Sequence, residues 1–177
     1  MSWVLLSLRK SELQQLHSQY VAEDLSISRQ ERQDARRYQY EQTCVQNDQQ
    51  EELSDLRRNY TEAKQLHYDA MSNLRKQISQ TEGANSSTFT DAAGKTLDDY
   101  QRAIADLKED YEYKVNNTKT YWEDELAMIE TEANDVETEH EQDKVRVETQ
   151  MEAVSQELQA VSQAISQEIQ NCTIKLS

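Results

Sequence analysis

The chain holds few side chains whose type and spacing suit metal binding. Glu137 and His140 form a Glu-x-x-His unit, which places a carboxylate and an imidazole on one helix face. Di-iron carboxylate bundles use this unit, but they need a second copy of it and two further glutamates. Because only one copy occurs here, we interpret His140 as a core or boundary residue and predict neither a metal site nor a cofactor.

The remaining reactive residues do not suggest catalysis. His17, His67 and His140 are scattered along the chain, and Cys44 and Cys172 are too far apart in sequence to show the spacing of a zinc site or a disulfide framework. The sequence has no glycine-rich phosphate loop and no nucleophile motif. We therefore predict a protein that is not an enzyme, has no catalytic residues and resides in a reducing compartment.

Two glycines are the best candidates for a turn between helices. Gly83 and Gly94 straddle the midpoint of a chain of 177 residues that contains no proline. Glycine and proline are the residues that end helices most readily. The sequence thus predicts an all-α fold, a long antiparallel two-helix coiled-coil hairpin. Its expected parts are a first helical arm 1–82, a tip loop 83–96 and a second helical arm 97–176, in a single elongated domain 1–177.

An apolar stripe in steps of three and four residues, the period of an amphipathic helix, supports this hairpin. It follows residues 97–176 in the second arm and residues 6–27 and 53–78 in the first. When two arms fold back on each other, the residue numbers of each facing pair add up to the same total. Stripe residues of both blocks pair at a total of 178, as Tyr60 does with Thr118, and we predict this register.

A polar waist separates the two apolar blocks of the first arm. Opposite it, the second arm carries ten acids and no Lys or Arg from Glu123 to Asp143. Three interpretations stay open: a solvated surface with a weakly packed middle, a docking site for a basic patch on another subunit or partner, or a helix break near Asn47 that gives a three-helix arrangement. The residues assigned to the waist are Arg36, Arg37, Glu137, Glu139 and Glu141.

Charge argues against a nucleic-acid partner. The net charge is -15 and the mean hydropathy is -1.01. The only cationic cluster, within residues 29–37, is interleaved with Glu31 and Asp34, whereas phosphate binding requires clustered cations.

The hydropathy pattern argues against a membrane protein. No apolar run approaches the roughly 18 to 20 residues that span a bilayer, and Arg9 and Lys10 alone give little attraction to a membrane surface. The apolar stretch 3–8 is too short for a secretory signal, and its charges follow it. We expect a cytoplasmic protein, or one exported without a cleavable signal peptide.

Function is expected where the two ends of the chain meet. The apolar residues there cover more of the helix surface than one partner helix can bury, which marks an association site. We predict self-association into a homo-oligomer or filament. The residues assigned to this surface are Trp3, Val4, Leu5, Leu6, Leu8, Leu158, Val161, Ile165, Ile169 and Ile174.

The layout, with paired terminal helices and a polar loop at the far tip, resembles that of the helical filament subunits of flagellar and type III secretion systems. The resemblance is one of layout and implies a filament or another multi-subunit assembly. The alternative is a coiled-coil adaptor that binds a helix of another protein at the open end.

Overall fold

The computed structural model describes the backbone of residues 3–81 and 87–175 and the side chains of residues 3–80 and 91–172. Within these ranges the chain forms two α-helices and no strand: α1 spans Trp3–Thr81 and α2 spans Ser87–Lys175. The two helices pack against each other, so the predicted all-α helical hairpin is confirmed.

Helix α1 is continuous, and the alternative of a break near Asn47 is wrong. No glycine or proline interrupts this segment, so nothing forces the backbone to leave the helix. Half-buried residues continue the steps of four through the polar segment, at Val45, Gln49 and Leu53. Packing along one face therefore outweighs the capping residues near Asn47.

The second helix begins earlier than predicted, and a loop extending to residue 96 is wrong. Gly94 lies inside α2, and Thr96 donates a hydrogen bond from Oγ1 to the carbonyl of Ala92, at 3.0 Å, as an interior helical residue does. A single glycine costs a helix only about 1 kcal/mol relative to alanine. Ala93 offsets this cost because it is buried, with 4% exposure. Gly83 lies outside the described residues.

Contacts group the chain into two compact units, each containing a segment of both helices. Unit 1 comprises Met1–Tyr40 and Ile129–Ser177, and unit 2 comprises Glu41–Met128. The assignment of residues 1–177 to one domain stays a prediction.

The core of unit 1 is a single seam between the helices. Leu13 and Val147 are completely enclosed, with 1% and 0% exposure. Further buried seam residues of this unit are Leu6, Ile27, Tyr38 and Val154. Because each helix contributes only one stripe, a sequence of low apolar content suffices to fill the seam.

The seam of unit 2 is more aromatic. The rings of Tyr60 and Tyr111 stack with centroids 4.4 Å apart. Met71 is buried near the tip. Towards the other end of the unit, Glu52 accepts hydrogen bonds from Trp122 Nε1, at 2.8 Å, and from Thr118 Oγ1, at 3.4 Å.

The register of the two helices differs from the predicted one. Tyr60 faces Tyr111, so their numbers total 171, where Thr118 was predicted to face Tyr60 at a total of 178. In unit 1, the pairs Asp34 with His140 and Arg9 with Glu157 total 174 and 166, on either side of the same value. The difference of seven residues is one heptad. A heptad shift places apolar positions on apolar positions again, so the stripe alone could not exclude it.

Candidate functional site: the open end of the hairpin

The apolar stripe of α2 becomes exposed towards the C-terminal end of the helix. Ile165 is half-buried, whereas Ile169, one step later, is 52% exposed and Cys172 is also exposed.

The beginning of α1 exposes apolar side chains on several sides. Trp3, Val4, Leu5 and Leu8 are 55 to 63% exposed, while Leu6 is buried in the seam. At about 100° per residue from Leu6, Val4 and Leu8 lie on the side away from α2, Leu5 lies on the flank next to them, and Trp3 lies on the opposite flank. A helix that is apolar all round normally has neighbours on several sides, and α2 covers only one. We call Val4, Leu5 and Leu8 the outward face.

The residues predicted for self-association therefore occupy different environments. Leu6 is buried in the seam within the chain. Leu158, Val161 and Ile165 are half-buried along the same seam. The side chain of Ile174 lies outside the described residues. The exposed members of the predicted set are Trp3, Val4, Leu5, Leu8 and Ile169.

The open end is almost free of charge. Residues 1–8 contain no charged side chain, and residues 158–177 contain only Glu168 and Lys175, which have opposite signs. The whole net charge of -15 is therefore carried by residues 9–157. This end of the hairpin therefore has few charged groups and no net charge.

The predicted polar waist is exposed. Arg36 and Glu137 are at the surface, as are the other three residues assigned to it. Arg37 lies 3.9 Å from Asp34 on its own helix, and its guanidinium group lies 4.5 Å from the ring centre of Tyr38.

Cross-helix polar contacts form instead inside the seam of unit 1. Asp34 Oδ2 and His140 Nε2 are joined by a hydrogen bond of 3.0 Å, and the side chain of His140 is only 14% exposed. One helical turn along, Lys144 donates a hydrogen bond to the carboxylate of Glu31. This bond lowers the pKa of Glu31, and the weaker effect of partial burial opposes it. We call Glu31, Asp34, His140 and Lys144 the seam cluster.

Two further ion pairs cross the helices nearer the open end. Arg146 Nη2 lies 3.1 Å from Glu23. Arg9 donates two hydrogen bonds to Glu157, at 2.7 and 2.9 Å, and this bonding raises the pKa of Arg9. Both pairs are exposed, so solvent screening weakens them. These pairs act mainly by aligning the two helices.

Apart from the boundary position of His140, the seam cluster was not predicted from the sequence. A signal was present, because Ile27, Glu31, Asp34 and Tyr38 are spaced by four, three and four residues. The stripe therefore continues through polar residues, and a pattern of apolar residue types alone does not show this continuity.

The parts of the chain that the structure describes contain no group of three or more His, Cys, Asp or Glu side chains that could hold a metal ion. Over the same residues, neither helix has a stretch long and apolar enough to cross a bilayer.

Comparison with known proteins gives no match: no family model, no curated protein and no solved structure is similar to this chain.

Proposed function

We propose that this chain is a non-enzymatic structural protein that self-associates through its paired N- and C-terminal helices, as a component of a filament or another multi-subunit assembly. The observation that carries the proposal is the apolar open end. There, the outward face of α1 and Ile169 of α2 are both exposed.

The hydrophobic effect supplies the driving force. Complete burial of one leucine or valine side chain stabilises an interface by about 1.5 to 3 kcal/mol. Leu5 and Leu8 are each 57% exposed and Val4 is 63% exposed. Burial of these residues against another subunit therefore gains several kcal/mol, before the cost of association is subtracted.

The charge distribution also favours association through the open end of the hairpin. Two copies with a net charge of -15 repel each other wherever their acidic segments meet. Residues 1–8 and 158–177 together carry no net charge, so contact between copies there avoids this repulsion.

Sedimentation velocity over a range of concentrations tests the proposal. The unmodified chain should exceed the monomer mass of 20.7 kDa. The double variant Leu5→Asp/Leu8→Asp should sediment as a monomer, because it places two carboxylates in the outward face. Its helicity, measured by circular dichroism, should be retained, since neither side chain lies in the seam.

Leu66→Asp is the matched control. Leu66 is 71% exposed and lies in unit 2, so this variant should associate as the unmodified chain does. An unmodified chain that stays monomeric at the highest concentration reached would contradict self-association and favour the adaptor hypothesis.

A further inference from the structure

In unit 2, helix α1 carries a straight row of three cations and a tyrosine. Its members each directly follow a half-buried seam residue, and they are Arg57, Lys64, Tyr68 and Arg75. Successive members are seven, four and seven residues apart. At about 100° and 1.5 Å per residue, the row stays within about 40° of one edge of the helix and is roughly 27 Å long. We call it the cationic row.

The charges of the cationic row are not neutralised within unit 2. No ion pair joins Arg57, Lys64 or Arg75 to another residue that the structure describes. The ammonium group of Lys64 lies 5.5 Å from the ring centre of Tyr60 and 5.8 Å from that of Tyr68. These cation–π contacts order the half-buried Lys64 side chain, but they leave its positive charge available to a partner.

A groove opens beside one half of the cationic row. It has a volume of about 610 Å³ and lies between α1 and α2 of unit 2. Tyr68 and Arg75 line the groove from α1, and Gln101 lines it from α2. Met71, which is buried, also lines it. The groove therefore combines a cationic rim with an apolar wall, and it suits an apolar side chain that has acidic neighbours.

In unit 1, helix α2 carries acids at the same spacing. These acids each directly follow a seam residue, and they are Glu130, Glu137, Glu141 and Glu148. Successive members are again seven, four and seven residues apart. All four are exposed, and none forms an ion pair within the described part of the chain. We call them the acidic row.

A second copy of the chain is the partner that fits the cationic row. The two rows belong to different units, and the α1 segment of the cationic row already packs against α2 near Tyr111. Between copies, the rows match in length and spacing and are opposite in charge. Such complementarity aligns partners more than it holds them together. It therefore suits copies that the apolar open end has already brought close.

The exposed Val145 favours one direction for this contact. The spacing of the rows reads the same both ways, so charge alone permits parallel or antiparallel helices. When Glu130 faces Arg57 and the helices run parallel, facing residue numbers differ by 73, and Val145 lies level with Ser72, which lines the groove. In the antiparallel pairing Val145 would lie level with Tyr60, roughly 18 Å away along α1. Only the parallel pairing places this apolar side chain, 62% exposed, beside the groove.

We propose that the cationic row of one copy pairs in parallel with the acidic row of a second copy, whose Val145 enters the groove. The facing pairs are Arg57 with Glu130, Lys64 with Glu137, Tyr68 with Glu141 and Arg75 with Glu148. The Tyr68 hydroxyl donates its hydrogen to the carboxylate of Glu141. This inference rests on the proposed function and adds a second contact between copies, made by residues outside the open end.

Charge reversal, followed by sedimentation velocity at physiological salt, tests the pairing. Arg57→Glu/Arg75→Glu should raise the dissociation constant of the assembly at least about fivefold, because it places like charges opposite each other. Glu130→Lys/Glu148→Lys should do the same, although it lowers the net negative charge. The variant that combines all four changes should return to within about twofold of the unmodified chain, since opposite charges face each other again.

Arg102→Glu/Lys114→Glu is the matched control. It changes the net charge as much as Arg57→Glu/Arg75→Glu does, and both of its residues are exposed on α2, outside the cationic row. Its dissociation constant should stay within about twofold of that of the unmodified chain, because only distant charges change. Circular dichroism should show unchanged helicity for every variant.

Crosslinking tests the direction of the pairing. In a Cys44→Ser/Cys172→Ser background, copies carrying Val145→Cys are mixed with copies carrying Gln101→Cys and treated with a short bismaleimide. Mass spectrometry should find links between the two kinds of copy, because Gln101 lines the groove. Glu112→Cys, about 16 Å further along α2, replaces Gln101→Cys as the control. Links to residue 112 in place of residue 101 would overturn the parallel direction.

The outcomes separate this inference from the proposed function. A chain that is monomeric by sedimentation refutes both. An oligomer that is insensitive to reversal of either row, or one that the combined variant does not restore, overturns the pairing of the rows and leaves self-association standing.

Discussion

The rings of Tyr60 and Tyr111 stack face to face across the two helices, with centroids 4.4 Å apart and planes inclined by 16°. One heptad further along α2, Thr118 instead donates a hydrogen bond to Glu52. The stack therefore identifies one of two registers that the apolar stripe permits equally.

Paired cysteines should report this register directly. In a Cys44→Ser/Cys172→Ser background, Tyr60→Cys with Tyr111→Cys should form an intrachain disulfide under mild oxidation. Tyr60→Cys with Thr118→Cys is the matched control and should not, because seven residues displace the partner by about 10 Å. Preferential oxidation of the control pair, seen on a non-reducing gel, would contradict the register.

Gly94→Ala should stabilise the protein by about 0.5 to 1 kcal/mol, because alanine is the better helix former and restricts the unfolded chain. A Cβ atom at this position meets nothing within 4 Å, and no glycine in the described ranges has a positive φ. Thermal unfolding followed by circular dichroism measures the effect. The neighbouring change Ala93→Gly should lower the melting temperature, since it removes a buried methyl group. A lower melting temperature for Gly94→Ala would refute a helical Gly94.

The contribution of Glu31 to stability should depend on pH. The hydrogen bond from Lys144 lowers the pKa of Glu31 in the folded state below its value in the unfolded chain. Its stabilising contribution is therefore complete above the unfolded-state pKa and is lost as the pH falls through the folded-state pKa. Glu31→Gln should lower the melting temperature at neutral pH, and the difference should shrink towards zero in strong acid.

Glu139→Gln is the control for this measurement, because Glu139 is an exposed acid on the same stretch of α2 as Lys144. It should not destabilise the protein at any pH. An effect of Glu31→Gln that stays constant from neutral pH to pH 3 would show that the ion pair does not contribute.

The hydrogen bond between Asp34 and His140 should show coupling in a double-mutant cycle. His140→Leu should cost about 1 to 2 kcal/mol, because it leaves the partly buried carboxylate of Asp34 without its cross-helix partner. Asp34→Leu/His140→Leu should recover most of this loss, since an apolar pair can replace a satisfied polar pair at little cost. Additive effects in urea unfolding would indicate that the two side chains act independently.

The fold was predictable from the sequence because the helical period is a local property. Steps of three and four residues place Leu13 and Val147 on apolar faces, and both are enclosed in the structure. The tip was predicted less well, because glycine is a weak helix breaker. The burial of Ala93, which supports the continuation of α2 through Gly94, depends on tertiary packing that no local window contains.

The candidate site was predictable in part. The exposure of Trp3, Val4 and Leu5 follows from apolar residues that occupy consecutive positions in a helix with one partner. The different environments of Leu6, which is buried, and Ile169, which is exposed, did not follow, because the apolar stripe does not show which of its members the partner helix covers.

Register and fold are thus encoded by different residues of this chain. If one helix shifts along the other by one heptad, apolar residues again face apolar residues. The same shift separates Glu31 from Lys144, Asp34 from His140 and Glu52 from Trp122. These three polar pairs select the register, whereas the apolar stripe determines only that the two helices pack together. Few polar substitutions would therefore suffice to change the register of the two helices, while every apolar contact layer is kept.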